Sequence, residues 1–122
     1  MKIRIKGNSI RFRLTKTEVE KFDQQGFYKE QTFFGNSSLF YALEIKEGID
    51  NLISDFQNNC LVIYIPKKMS DEWLRTDKVG FENTISFPDG SALFLLVEKD
   101  WTCLDNTIED QSDNFPNPQL IL

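Results

Sequence analysis

Lys2, Arg4, Lys6, Arg11 and Arg13 are the residues whose type and spacing could do chemistry. The first 16 residues hold six bases and no acid. Within each group the cations recur at every second position, which is the side-chain period of a β-strand, so in a regular hairpin all five project from one face. Cations set side by side repel unless something negative lies near them. The functional reading of such a face is a phosphorylated or otherwise anionic ligand, or an acidic protein partner. The structural reading, placed first, is docking of the chain's own acidic end, because residues 98–122 carry six acids against Lys99 alone. That reading predicts Asp110 or Asp113 close to Arg11 or Arg13.

Other constellations each lack a member. The chain has no histidine, which removes Ser-His-Asp and Cys-His catalysis and histidine-based zinc sites together. Asp105, Glu109, Asp110 and Asp113 could gather round a divalent cation, but their spacing fits no calcium loop. Cys103 has acidic neighbours, which raise a thiol's pKa, and Cys60 opens an apolar strand and reads as core. In a reducing compartment both thiols should be free. Gly7-Asn8 and Gly35-Asn36 read as hairpin turns, and no glycine-rich loop leads into a basic and a hydroxyl residue as a phosphate cradle does. Trp73 and Trp101, at the ends of elements, read as packing residues at the rim. No cofactor and no metal are therefore expected. The function read from these residues is a binding or interaction module without catalytic activity. The alternative is an enzyme acting on a phosphorylated or anionic small molecule through the basic hairpin face, which requires a deep pocket joining several of the five cations to an acid.

The elements that must position these residues follow from periodicity. Ile3 and Ile5, then Ile10, Phe12 and Leu14, alternate with the cations across Gly7-Asn8-Ser9, predicting a hairpin with one apolar and one basic face. Thr15 and Glu18 have the spacing of a capping box, so a helix over about 16–24 follows, with Val19 and Phe22 on its buried side and Gly26 ending it. Strands are predicted over 27–34, 39–46, 52–57 and 60–65. A helix with Met69 and Trp73 on one face lies within 66–77, and further strands over 81–87 and 91–99 follow.

The order is ββαββ twice. An offset of 51 sets Asn8–Gln24 on Asn59–Arg75, and an offset of 54 sets Ser37–Glu44 on Ser91–Glu98. The predicted fold is α+β: an antiparallel sheet or barrel of about eight strands with two short helices, the ββαββ unit duplicated with pseudo-twofold symmetry. Residues 1–104 form one domain of two halves, about 1–47 and 50–100, and 105–122 an acidic, proline-containing tail. The longest apolar runs, Cys60–Ile65 and Ala92–Val97, are six residues each, against the roughly 20 that a membrane-spanning helix needs. The start alternates charged and apolar residues and lacks the apolar block of a signal peptide, so a cytoplasmic protein is expected, with no membrane partner. A net charge of −5 makes nucleic acid an unlikely partner.

The opening MKIRIKGNSIRFRLT and the closing Cys103-Leu104 with EDQSDNFPNP resemble a family of small bacterial proteins of unknown function, of about this length throughout. The resemblance implies a bacterial, cytosolic origin and brings with it no activity, ligand or catalytic residue.

Overall fold

The computed structural model describes residues 1–101 and 112–116. Its elements run β1 (Lys2–Lys6), β2 (Ser9–Leu14), α1 (Lys16–Gln25), β3 (Phe27–Phe33), β4 (Ser38–Lys46), β5 (Ile53–Gln57), β6 (Cys60–Pro66), α2 (Lys67–Arg75), β7 (Gly80–Ser86) and β8 (Ala92–Lys99). The order is the predicted one. Thr15 caps α1: its hydroxyl accepts from Glu18 N–H at 3.4 Å, and its own N–H donates to Glu18 Oε1 at 2.8 Å. Gly26 closes the helix at φ 78°, a left-handed conformation in which a Cβ would be strained.

The α+β class, the eight strands and the two helices are as the sequence predicts. The strands do not form one antiparallel sheet or a closed barrel. They divide into two four-stranded sheets, ordered β1-β2-β8-β7 and β3-β4-β6-β5. Both sheets are mixed, because β2 runs parallel to β8 and β4 parallel to β6. Each hairpin is antiparallel within itself but joins a hairpin of the other half of the chain. The sheets are thus shared between the two halves, and neither half holds a complete sheet.

The pairing carries the pseudo-twofold relation. Lys2↔Arg13 in the first hairpin becomes Ile53↔Tyr64 at the offset of 51. The parallel pair Ile10↔Leu95 becomes Leu61↔Tyr41 when the same offset is applied to β2 and 54 to β8. The two offsets read from the sequence are therefore those of the strand registers.

The inner faces of the sheets pack together. Phe12, Leu14, Leu95 and Val97 of one sheet and Leu43, Ile63 and Ile65 of the other are fully buried, and the rings of Phe12 and Tyr41 meet edge to face across the layers at 6.5 Å. At the helix end, Phe22 and Trp73, which correspond under the offset of 51, also meet edge to face at 5.9 Å. Trp73 is completely buried, and its indole N–H donates to the Val79 carbonyl at 3.0 Å. It belongs to the centre of the core and not to the rim, because α2 packs on β4 and β6 and sets the indole against Phe22 of α1. At the turn end the layers part, leaving an apolar groove of about 330 Å³ walled by Ile5, Ile10, Leu39, Phe56, Leu61 and Leu93. Cys60 is half-buried at the start of β6, less enclosed than its apolar neighbours suggest, and Cys103 lies outside the described residues.

Candidate functional site: a basic sheet face

The β1–β2 register sets Lys2 opposite Arg13, Arg4 opposite Arg11 and Lys6 opposite Ser9. All five predicted cations therefore share one face, the outer face of the first sheet. Like charges directly opposite each other on a sheet are destabilising, and the structure shows what offsets them. The strand beside β2 is β8, whose residues 94, 96 and 98 pair with Ser9, Arg11 and Arg13 and so stand on the same outer face. Glu98 lies between the two arginines: Arg11 Nε donates to its Oε1 at 2.7 Å, and Arg13 Nε lies 3.2 Å from the same oxygen. Asp100 follows at the next outward position. Its Oδ1 is 3.3 Å from Arg13 Nη2 and its Oδ2 is 3.4 Å from Lys2 Nζ, and only 2% of the residue is exposed.

The expected docking of the acidic end on this face takes a different form. Asp113 does not reach Arg11 or Arg13. Its Oδ1 accepts from the Thr17 hydroxyl at 2.7 Å, and its carbonyl accepts from Lys16 N–H at 3.0 Å, at the first turn of α1. Hydrogen bonds from the Thr17 and Thr15 hydroxyls hold its carboxyl below the usual range, and a carboxylate suits the positive end of a helix. Asp110 lies outside the described residues, as do Asp105 and Glu109. Glu98 and Asp100 were countable in the sequence, and their alternation along an apolar strand gives their shared parity. Nothing local says that this strand lies against β2.

The five cations thus fall into two groups. Arg11, Arg13 and Lys2 are paired with Glu98 and Asp100, whereas Arg4 and Lys6 are exposed and form no ion pair among the described residues. Arg4, Lys6, Ser9 and Arg11 line an open hollow of about 220 Å³ floored by Phe94 and Leu96. No carboxylate lines it. Three or more potential metal ligands do not cluster anywhere among the described residues, and none of the described helices is long and apolar enough to cross a membrane.

A second charged cluster lies on the side of the molecule where α1 meets β3. The Met1 ammonium is bound by the carboxylates of Glu18 and Glu30. Tyr28 stands beside them, and burial first, then the charges of Glu18 and Glu30 and a hydrogen bond to Glu18, push its phenol up to about 12. A folded-state value above the ordinary tyrosine value of about 10 means that the neutral phenol favours the folded state below pH 10. That contribution fades as pH rises through 12. Burial also pushes the phenols of Tyr41 and Tyr64 up, and of the three tyrosines Tyr28 is expected to give the last phase in an absorbance titration of tyrosinate. Tyr28→Phe should remove that phase; its persistence would place the perturbation elsewhere.

Comparison with curated proteins and with solved structures finds no match. A family model matches residues 1–119, which takes in both sheets and the basic face, so the chain belongs to DUF7009, a family of unknown function.

Proposed function

We propose that this protein is a non-catalytic binding module that takes an anionic partner on the outer face of its first sheet. One observation carries the reading: Arg4 and Lys6 share a hollow with Ser9 and Arg11, over the apolar floor of Phe94 and Leu96, with no acid among its lining residues. An arginine and a lysine with no ion-pair partner among the described residues offer charge-assisted hydrogen bonds to phosphate or carboxylate oxygens, the serine hydroxyl adds a neutral donor, and the floor accepts an apolar part of the partner. The alternative, an enzyme using these cations, needs an acid among them in an enclosed pocket. The hollow is open, and the nearest described carboxylates of the face, Glu98 and Asp100, are held by Arg11, Arg13 and Lys2.

Two probes test the proposal on isotope-labelled protein: inorganic pyrophosphate and a short poly-glutamate peptide. At least one should shift the backbone amides of Arg4, Lys6, Ser9 and Arg11 saturably, with affinity falling as salt is raised. Arg4→Glu with Lys6→Glu should weaken that binding by at least about tenfold, since one charge-assisted hydrogen bond is worth about 1.5–3 kcal/mol. Both residues are exposed, so the double variant should keep the wild-type fold. Shifts that survive the double variant, or no saturable shift with either probe, would overturn the proposal.

A further inference from the structure

The last inward-facing residue of β8, Lys99, lies at the helix end of the sheet and is only 5% exposed. Its ammonium has three N–H groups. One donates to the Thr76 carbonyl at 3.0 Å, and the charge lies 5.4 Å from the centre of the Phe115 ring. The remaining two have no hydrogen-bond or ion-pair partner among the described residues. The same residues border a cavity of about 530 Å³, to which Leu74, Trp101 and Pro116 add apolar walls. That size falls within the usual range of small-ligand pockets, about 300–1,000 Å³. The indole N–H of Trp101 is also buried and without a hydrogen-bond partner. Buried donors are ordinarily satisfied, so the unmet donors of Lys99 and Trp101, two residues that line one cavity, call for an acceptor.

We infer that this cavity is a binding site for a small monocarboxylate with an apolar, preferably aromatic, body. The carboxylate would accept from Lys99 Nζ and the Trp101 indole N–H, while the body packs between Leu74, Phe115 and Pro116. Asp77, exposed and on the same cavity, disfavours a second negative charge on the ligand. Burial pushes the Lys99 ammonium down, with Asp77 opposing the shift, and a bound carboxylate would supply the counter-charge that burial withholds. The site lies on the inner side of β8 and is separate from the basic outer face.

The test uses hydrocinnamate, with its neutral amide hydrocinnamide as the matched control, and follows the indole N–H signal of Trp101. That signal is told from Trp73 by its loss in Trp101→Phe. Hydrocinnamate should shift it saturably, and hydrocinnamide should bind at least about tenfold more weakly. Lys99→Met, which keeps the length of the side chain, should lose the preference for the acid, and Arg4→Glu should leave it unchanged. The inference is overturned if the acid shifts only the amides of Arg4 to Arg11, if acid and amide bind alike, or if Lys99→Met still prefers the acid. Should Lys99→Met not fold, the acid and amide comparison on the unaltered protein decides alone.

Discussion

Trp73→Ala should cost about 3–5 kcal/mol of folding stability, the range for deleting a large buried aromatic side chain. Trp73 is wholly enclosed, it meets Phe22 edge to face where the two halves of the chain come together, and its indole N–H satisfies the Val79 carbonyl. Removing it opens a cavity beside Phe22, where the two helices meet, and leaves the Val79 carbonyl with one of its two donors, the Lys99 N–H at 2.9 Å. Domains of this size are stable by only about 5–15 kcal/mol, so the variant should unfold at a much lower urea concentration, or fail to fold. Trp73→Phe keeps most of the ring contact and loses the hydrogen bond, and should cost markedly less. Urea unfolding followed by circular dichroism separates the two. A loss below about 1 kcal/mol for Trp73→Ala would mean that the helices do not close the core as described.

Asp100→Ala should cost about 2 kcal/mol. Removing one member of a fully buried ion pair costs about 3–5 kcal/mol. Here Arg13 keeps Glu98 at 3.2 Å, and its side chain and that of Lys2 are 29% and 50% exposed, so water takes up part of the loss. The backbone of Asp100 continues to donate to the Leu14 carbonyl at 2.8 Å and to accept from Phe115 N–H at 2.9 Å, so the change isolates the carboxylate. Because the effect is one of charge, the difference in unfolding midpoint between Asp100→Ala and the unaltered protein should shrink as salt is added. The same substitution frees cationic surface beside the proposed anion site, so pyrophosphate should bind the variant at least as tightly as the unaltered protein. Weaker binding would indicate that Asp100 organises the face and does not merely neutralise it.

Much of this architecture was legible in the residues. Alternation of Ile3, Ile5, Ile10, Phe12 and Leu14 with five cations fixed the strands and the common face, because a period of two sets the apolar residues on the face opposite the cations, although Ile5 at the turn end stays exposed. Thr15, Glu18 and Gly26 marked both ends of α1, since capping is local chemistry. The offsets of 51 and 54 survive as strand registers because a repeated element order was matched to a repeated apolar phase.

Which hairpin lies beside which was not legible. Backbone hydrogen bonds are the same for every strand, so the period of a strand names its buried face and says nothing about its neighbour. The exchange that sets β8 against β2 joins residues 87 apart, Arg11 and Glu98, far beyond the reach of any local pattern. That exchange brings Glu98 and Asp100 under Arg11, Arg13 and Lys2, draws Asp113 to the start of α1, and leaves Arg4 and Lys6 open in the hollow over Phe94 and Leu96. The sequence by itself determined that five cations share a face; only the tertiary structure decided which of them are neutralised, because charge compensation depends on distance in space and local periodicity carries no information about it.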